Sequence, residues 1–183
     1  MAFLDRDGVI NIDHDYIFRR EEFEFTDGIF TACRLLRDLG YELIVVTNQS
    51  GIARGYYSEQ DFFSLTSWMC EQFNNQGVPL LDVFYCPHHP QAVIPEYRQN
   101  CRCRKPLPGM LEQACQKYLI DMEKSIMIGD RISDLQAAQA AGVGKFFLLS
   151  EKEIGQEYLD ICTKLDNLNQ LEDLIYLKDI TSK

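Results

Sequence analysis

Long apolar runs, a leader-like opening and an excess of basic residues are all missing from this sequence. No stretch approaches the ~18 apolar residues that a membrane-spanning helix needs. The opening, MAFLDRDG, lacks the basic and then apolar order of a signal peptide. The 18 lysines and arginines are outnumbered by 28 acidic residues, giving a formal net charge of −10. Because nucleic acids and membrane surfaces attract basic proteins, we expect a soluble, cytoplasmic protein with neither as a partner.

Internal repeats, low-complexity tracts and linkers rich in glycine or serine are also absent. With 46% hydrophobic and 25% charged residues, the 183-residue chain has an ordinary globular composition, which excludes a disordered or fibrous protein. A chain of this length can bury one full core. We therefore predict one domain over residues 1–183. We also expect a monomer, because no heptad pattern or spare apolar stripe is left for self-association.

Short apolar runs alternate along the chain with longer amphipathic stretches. The apolar runs predict strands at 2–4, 42–47, 83–85, 125–128 and 145–149. The amphipathic stretches predict helices at 28–39, 58–75, 108–118, 133–141 and 167–176. Because the strand runs are almost wholly apolar, we expect both faces of each strand to be covered. The alternation predicts an α/β fold with a doubly wound parallel sheet.

One helix signal is unusually complete. Ser58 and Asp61 stand at the spacing of a capping box, in which side chains satisfy the free amide groups at a helix start. The apolar residues that follow recur at helical spacing: Phe62, Leu65, Met69 and Phe73. These residues predict a helix with one buried face.

Polar residues stand where the predicted strands end. Asp5 and Asp7 follow the first strand, Thr47 ends the second, and Asp130 follows the fourth, while Lys105 precedes a helix. Ligands of such sheets bind outside the carboxyl ends of the strands. The sequence therefore predicts that these five side chains meet at one edge of the sheet.

The chemistry of that group favours phosphoryl transfer. Two carboxylates as close as Asp5 and Asp7 repel each other unless a cation such as Mg²⁺ lies between them and their neighbours. A lysine and a hydroxyl suit the oxygens of a phosphoryl group. Each residue alone has an ordinary reading: two aspartates in a turn, a turn threonine, or a lysine on the surface. Their joint occurrence at successive strand ends favours the catalytic interpretation.

A second cluster predicts a metal clip in the segment 86–103. Cys86, His88, Cys101 and Cys103 offer three thiolates and one imidazole, which suits a closed, tetrahedral and structural Zn²⁺ site. A disulfide or three free thiols are the alternatives. His89 is a competing ligand that we expect to be a bystander. The ion would order a proline-rich loop and fix the segment that carries Lys105.

Four segments resemble the motifs of the haloacid dehalogenase (HAD) superfamily of phosphohydrolases: FLDRDG, VVTNQS, RKPLPGM and MIGDRISD. The resemblance implies a HAD-like, Rossmann-type fold in which Asp5 is the nucleophile and forms an aspartyl-phosphate. It makes Asp7 the general acid and then the base, and lets Thr47 and Lys105 hold the phosphoryl group. It assigns Mg²⁺ to Asp5, the backbone carbonyl of Asp7, and Asp130. Asp134 is expected to support the site or its helix rather than bind the ion.

The short spacing between motifs leaves no room for a large cap domain, so the site is expected to be open to water. An open site favours hydrolysis over transfer to a second substrate. Within the superfamily, the segments FLDRDGVIN, TNQSGIARG, YCPHHP and RKPLPGM resemble heptose-bisphosphate phosphatases. That resemblance implies a small sugar phosphate as substrate, from which the C7 phosphate is removed on the route to cell-surface glycans such as lipopolysaccharide.

The resemblance also implies a set of substrate contacts: Asp13, His14, Asp15, Tyr16, Asn48, Gln49, Ser50, Arg104 and Arg131. Arg104 is favoured for the second phosphate, because a guanidinium binds phosphate bidentately. Asp15 departs from the pattern, which has a small residue there. Because the net charge repels an anion, we expect a local basic cluster to offset it: Arg6, Arg54, Arg98, Arg102, Arg104, Lys105 and Arg131.

Two other functions stay open. A histidinol-phosphate phosphatase would share the zinc loop, but its cationic substrate would prefer acids where Arg104 lies. A non-catalytic, zinc-stabilised binding module would have no need for both Asp5 and Asp7.

Overall fold

The computed structural model describes residues 1–150 and 152–175. Its strands are β1 (Ala2–Leu4), β2 (Leu43–Asn48), β3 (Leu80–Cys86), β4 (Ile126–Gly129), β5 (Lys145–Leu149) and β6 (Thr163–Leu165). Its helices are α1 (Ile29–Asp38), α2 (Ser50–Arg54), α3 (Glu59–Asn75), α4 (Gly109–Lys117), α5 (Ile132–Ala140), α6 (Gln156–Leu159) and α7 (Leu171–Ile175). Single turns of 3₁₀ helix lie at Arg20–Glu22, Pro95–Tyr97 and Leu168–Gln170.

The six strands form one parallel sheet in the order β3-β2-β1-β4-β5-β6. The predicted doubly wound α/β fold is confirmed. The chain winds outward from β1 on one side and returns to β4 on the other, so the strand order reverses between these two neighbours. Such a reversal opens a crevice at the carboxyl ends of the strands, and ligands bind there.

Both faces of the central strands are covered, as their apolar sequences require. Ala2 and Leu4 pack on one face with α1, α3 and α7, whereas Phe3 packs on the other with α4 and α5. Successive strand residues point to opposite faces, so β1 needs an apolar residue at every position. Of the helices in the described ranges, none is both long and apolar enough to cross a membrane.

The edge of the sheet departs from the prediction. β3 is longer than the predicted 83–85 and is only partly buried, because it has a neighbour on one side alone. The short elements α2, α6 and β6 were not predicted. Each has five residues or fewer, too few to show a hydrophobic period.

The remaining helix predictions agree with the structure within one or two residues. The capping box of α3 forms: Ser58 Oγ accepts from the amide of Asp61 at 3.1 Å, and Asp61 Oδ2 accepts from the amide of Ser58 at 2.9 Å. The closing segment 167–176 begins as a 3₁₀ turn and continues as α7, and its last residue lies outside the described residues. The single domain over residues 1–183 stays a prediction.

Candidate active site

A cavity of about 350 Å³ opens at the carboxyl ends of β1, β2 and β4. The catalytic candidates Asp5, Asp7, Thr47 and Lys105 all line it, together with Asp134. The structure thus brings together side chains that stand up to 129 positions apart in the sequence. They meet where the strand order reverses, which is where a ligand is expected.

Asp5 extends the central strand by one residue. Its amide donates to the carbonyl of Ile128 on β4 at 3.0 Å, so its position is fixed by the sheet. Oδ1 accepts from the amide of Arg6 at 2.7 Å and lies 3.0 Å from Lys105 Nζ. Burial raises the pKa of Asp5 well above its usual value, although Lys105 works in the opposite direction. The carboxylate therefore needs neighbouring positive charge to stay ionised.

Lys105 is a buried charge, only 3% exposed, and not the surface lysine of the alternative reading. Its ammonium lies 2.7 Å from Asp134 Oδ1 and 3.0 Å from Asp5 Oδ1, and it donates to the carbonyl of Val46 at 2.8 Å. Burial acts to lower the pKa of Lys105, but Asp134 and Asp5 outweigh it, so the pKa is raised. Lys105 is therefore a permanent cation against Asp5, the predicted nucleophile.

The acidic group suits Mg²⁺. Carboxylate oxygens of Asp5, Asp130 and Asp134 lie within 4.8 Å of one another. Asp130 Oδ1 is buried without a hydrogen-bond partner among the described residues. Burial, followed by repulsion from Asp134, raises the pKa of Asp130 to about 6. A hard divalent cation would satisfy this oxygen and relieve the repulsion.

Two neighbours shape the acidic group. Gly8 has a positive φ of 87°, and a Cβ there would lie 2.4 Å from Asp130, so this tight turn needs glycine. Asp134 binds Lys105 through Oδ1 and accepts from the amide of Arg131 at 2.9 Å through Oδ2. Both of its oxygens are engaged, which fits the supporting role expected for it.

Asp7 faces away from the other acids. Its carboxylate accepts from Arg6 through Nε and the terminal nitrogen at 2.9–3.2 Å, and from Asn11 at 3.2 Å. Gln49 Nε2 donates to its second oxygen at 2.9 Å. The Asp7 carboxylate is therefore separate from the metal-binding acids, which leaves its backbone carbonyl as the predicted ligand.

Thr47 is held by the same glutamine. Gln49 Nε2 donates to Thr47 Oγ1 at 2.8 Å, and Gln49 Oε1 accepts from the hydroxyl of Tyr57 at 2.6 Å. The Gln49 side chain is 1% exposed, and both ends of its amide are engaged. Gln49 also lines the cavity, so its role as a substrate contact stays a prediction, and its amide holds Asp7 and Thr47 as well.

The eight other predicted contacts divide into two groups. Seven line the cavity: Asp13, Asp15, Tyr16, Asn48, Ser50, Arg104 and Arg131. Asn48 is occupied on both sides of its amide by the backbone of Lys105, and Arg131 pairs with Asp13 at 2.8 Å. His14 is largely exposed, lies 3.7 Å from Glu24 and lines a neighbouring cavity that shares Asp15 and Tyr16 with the first. Its role as a substrate contact stays a prediction.

The expected basic cluster is also smaller than predicted. Arg6 is buried against Asp7 and the carbonyl of Ile17, and Arg102 pairs with Glu112 away from the cavity. Arg104, Lys105 and Arg131 do line the cavity. Nearness in sequence to a catalytic residue was therefore a poor guide to which cations face the substrate.

The four predicted zinc ligands converge. Cys86, His88, Cys101 and Cys103 place their donor atoms within 4.8 Å of one another, and the sulfur atoms lie 3.0–3.2 Å apart as free cysteines. A hydrogen bond with Cys86 lowers the pKa of Cys103 to about 5. Three sulfurs and one imidazole nitrogen so close together match the donor set of structural Zn²⁺. His89 lies apart, 3.4 Å from Arg54.

Residues at the site that the sequence did not indicate include Asn11, Tyr57 and Ser133. Arg6 was expected only as part of the basic cluster, and its bonds to Asp7 were not predicted. Tyr57 reaches the site from the segment between α2 and α3, and no spacing rule points to it.

Comparison with known proteins agrees with this geometry. A family model described as haloacid dehalogenase-like hydrolase matches residues 3–142. The chain is 45% identical, over 96% of both chains, to a protein of Photorhabdus laumondii named D-glycero-alpha-D-manno-heptose-1,7-bisphosphate 7-phosphatase. It is 49% identical to the D-glycero-beta-D-manno-heptose-1,7-bisphosphate 7-phosphatase of Escherichia coli K12, over 94% of this chain and 90% of that protein.

Solved structures with the same fold include a HAD-like phosphatase from Mesorhizobium loti, with a TM-score of 0.84 and 33% identity over 95% of this chain and 83% of that one. Another is the D,D-heptose 1,7-bisphosphate phosphatase of B. bronchiseptica complexed with magnesium and phosphate. Its TM-score is 0.79 and its identity 28%, over 97% and 98% of the two chains. The chain thus belongs to the haloacid dehalogenase-like hydrolases.

Proposed function

We propose that this protein is a Mg²⁺-dependent phosphatase that removes the C7 phosphate from D-glycero-D-manno-heptose 1,7-bisphosphate. The observation that carries the proposal is the placement of Asp5 at the sheet crevice, against Lys105 and beside the acidic group. The names of the relatives at 45% and 49% identity support the choice of substrate.

In the first step, an oxygen of Asp5 attacks phosphorus, and the bond from phosphorus to the C7 oxygen breaks. The Arg6 amide and the Lys105 ammonium hold Asp5 while it does so. The product is an aspartyl-phosphate, which divides one difficult hydrolysis into two easier steps.

Asp7 acts as the general acid in the first step and as the general base in the second. It gives a proton to the departing C7 oxygen, so that the sugar leaves as an alcohol. In the second step Asp7 takes a proton from the water that attacks phosphorus, and the bond to Asp5 breaks to release phosphate. Asp7 is a separate carboxylate, held by Arg6 and Gln49, and can serve both steps without disturbing Asp5.

The phosphoryl oxygens meet a hydroxyl and a cation. Thr47 can donate its hydroxyl proton, and the positive charge of Lys105 lies beside the nucleophile. Asp5, Asp130 and the backbone carbonyl of Asp7 would hold Mg²⁺. When bound, Mg²⁺ supplies charge that neutralises the phosphoryl oxygens as the bond breaks.

The zinc ligands would act at a distance from the chemistry. Cys101 and Cys103 stand directly before Arg104 and Lys105, so a Zn²⁺ ion held with Cys86 and His88 would fix the segment that carries both cations. Arg104 lines the cavity and suits the second phosphate.

A phosphate-release panel tests the proposal. Its substrates are the α and β anomers of the heptose bisphosphate, histidinol phosphate and fructose 1,6-bisphosphate. We expect one heptose anomer to have a kcat/KM at least about tenfold above the two other compounds, with one phosphate released per sugar. Histidinol phosphate as the best substrate would favour the alternative phosphatase. No release from any ester would favour a binding module.

A further inference from the structure

A buried hydrogen-bond chain runs from Tyr57 through Gln49 to two catalytic candidates. Tyr57 donates to Gln49 Oε1 at 2.6 Å, and Gln49 Nε2 donates to Asp7 Oδ2 at 2.9 Å and to Thr47 Oγ1 at 2.8 Å. Gln49 is 1% exposed and Tyr57 7% exposed. One amide group therefore ties the acid–base candidate to the phosphate-holding hydroxyl.

The orientation of that amide follows from what each partner can accept. In the ionised state, in which it takes the proton from water, Asp7 can only accept hydrogen bonds, so the NH₂ group of Gln49 faces it and the carbonyl oxygen faces Tyr57. The reversed amide would place its oxygen against the Asp7 carboxylate, and two acceptors would repel. The Tyr57 hydroxyl stabilises the productive orientation, because it supplies a donor to the carbonyl oxygen.

This orientation also sets the direction of the Thr47 hydroxyl. Since Thr47 Oγ1 accepts from Gln49, its own proton is left to donate elsewhere, and Thr47 lines the cavity. With the amide reversed, Thr47 would donate its proton to the Gln49 oxygen instead. The Tyr57 hydroxyl thus stabilises the amide orientation in which Asp7 and Thr47 can both act on a phosphate ester.

Tyr57 itself is firmly placed. Its ring stacks on Phe18, with centroids 5.3 Å apart and an angle of 14° between the planes. It also packs on the backbone of Gly51, where a Cβ would lie 2.2 Å from the ring. Its hydroxyl can therefore act as a fixed reference for the amide.

We propose that Tyr57, acting through Gln49, is a positioning residue that holds Asp7 and Thr47 ready for phosphoryl transfer. This inference rests on the proposed function in one respect, the role of Asp7 as the acid for the departing alcohol. It does not depend on which sugar phosphate is bound, because the chain contacts Asp7 and Thr47.

The test is Tyr57→Phe, which keeps the ring and removes the hydroxyl, assayed on two kinds of ester. An alkyl phosphate such as the sugar substrate has a poor leaving group and needs the proton from Asp7. p-Nitrophenyl phosphate has a good leaving group and does not. We expect kcat/KM to fall about tenfold or more on the alkyl ester and less than about threefold on the aryl ester.

The matched control is Tyr85→Phe. The Tyr85 ring packs on Phe62 beside Tyr57, but its hydroxyl donates to Glu59 and lies outside the chain of bonds. Its kcat/KM should stay within about twofold of the wild type on both esters. An equal loss on both esters in Tyr57→Phe, or no loss on either, would overturn the proposal, because a general structural effect does not distinguish leaving groups.

A second variant keeps the proposal falsifiable if Tyr57→Phe folds poorly. Gln49→Glu preserves the shape and the acceptor for Tyr57 but removes the donors to Asp7 and Thr47. The loss on the alkyl ester should again exceed the loss on the aryl ester by about tenfold; wild-type selectivity between the esters would contradict the proposal. If the wild type does not hydrolyse the heptose bisphosphate, the proposed substrate is wrong. The comparison of the two kinds of ester is then made with any alkyl phosphate that the wild type does hydrolyse.

Discussion

At the residue scale, the surroundings of Lys105 decide what its removal would cost. Its charge lies between the buried carboxylates of Asp5 and Asp134, and among the described residues it is the cation that pairs with each of them. Removing one partner of a buried ion pair leaves the other charged and unpaired, and this costs more free energy than the pair contributes.

We expect Lys105→Met to abolish turnover and to lower the free energy of unfolding by about 3 kcal/mol. Urea unfolding measures the second effect. Lys117→Met is the control, because Lys117 pairs with Asp82 at the exposed surface, and its urea midpoint should not move. A Lys105→Met protein that unfolds at the wild-type midpoint would contradict the buried-pair account.

The nucleophile gives a sharper activity prediction. Asp5→Asn keeps the shape of the side chain and its bond to the Arg6 amide but cannot form the acyl phosphate. Turnover should fall about a thousandfold or more, with an unchanged circular dichroism spectrum. Asp38→Asn, at the exposed end of α1, should retain full activity. Appreciable turnover by Asp5→Asn would remove Asp5 from its proposed role.

The raised pKa values predict how Mg²⁺ affects stability at different pH values. A carboxyl group with a raised pKa in the folded state contributes stability below its unfolded pKa, and this is lost as the pH rises through the folded value. For Asp130 the folded value is about 6. Above it the metal-free site holds unrelieved repulsion, which Mg²⁺ would remove.

The increase in melting temperature caused by Mg²⁺ should therefore be small near about pH 5 and grow through about pH 7. Thermal scans with and without Mg²⁺ at each pH measure this difference directly. As a control, the samples with and without Mg²⁺ have the same ionic strength and contain no Ca²⁺. An increase of the same size at every pH would exclude the acidic group as the binding site.

At the element scale, α3 is an example of a helix whose bounds and buried face the sequence predicts well. The start of α3 is encoded locally by Ser58 and Asp61, and its buried face by a regular apolar period, so its bounds were predictable. β6 is fixed by its pairing with β5, and α2 has only five residues, so neither has a local pattern long enough to predict it. The hydrogen bond from Gln49 to Asp7 was not predictable either, because the two residues are distant in sequence.

The start of α4 is packed on the segment that carries the proposed zinc ligands Cys101 and Cys103. A Cβ on Gly109 would lie 2.5 Å from the carbonyl oxygen of Arg102, in the backbone that links Cys101 and Cys103. The backbone of Arg102 cannot make room for a Cβ without moving Cys101 or Cys103, the proposed zinc ligands on either side of it. The position of the helix and the geometry of the metal cluster are therefore coupled.

Gly109→Ala should displace the segment 101–103 and accelerate zinc loss to a chelator at least about tenfold. The wild type should contain about one zinc per chain. Gln113→Ala, on the exposed side of the same helix, should lose zinc at the wild-type rate. Metal analysis that finds folded wild-type protein without zinc would refute the clip, and equal rates in the two variants would refute the coupling.

At the scale of the whole molecule, the charges that line the cavity disfavour the binding of an anion by the protein alone. Asp5, Asp7, Asp13, Asp15 and Asp134 line it, against the three cations Arg104, Lys105 and Arg131. The chain as a whole carries −10. The sequence predicts a local cluster of seven cations that offsets this field, and three of them line the cavity: Arg104, Lys105 and Arg131.

Phosphate should therefore bind measurably only when Mg²⁺ is present. Calorimetric titration with inorganic phosphate should give at least about tenfold weaker binding after Mg²⁺ is removed, at constant ionic strength. Zinc content is checked in each sample, so that loss of the clip is not mistaken for loss of Mg²⁺. Equal affinity in both conditions would show that the protein cations suffice.

The central position of β1 has a consequence for redesign. The amide of Asp5 donates to β4, and Asp5 follows a strand with a neighbour on each side, so its position is fixed. Each new ester must therefore bring its phosphorus atom to the same point. Altering the preferred compound then becomes a task for the segment 13–16 and for Arg104. The reactive end can be left untouched while those residues are exchanged between homologues or randomised in a library.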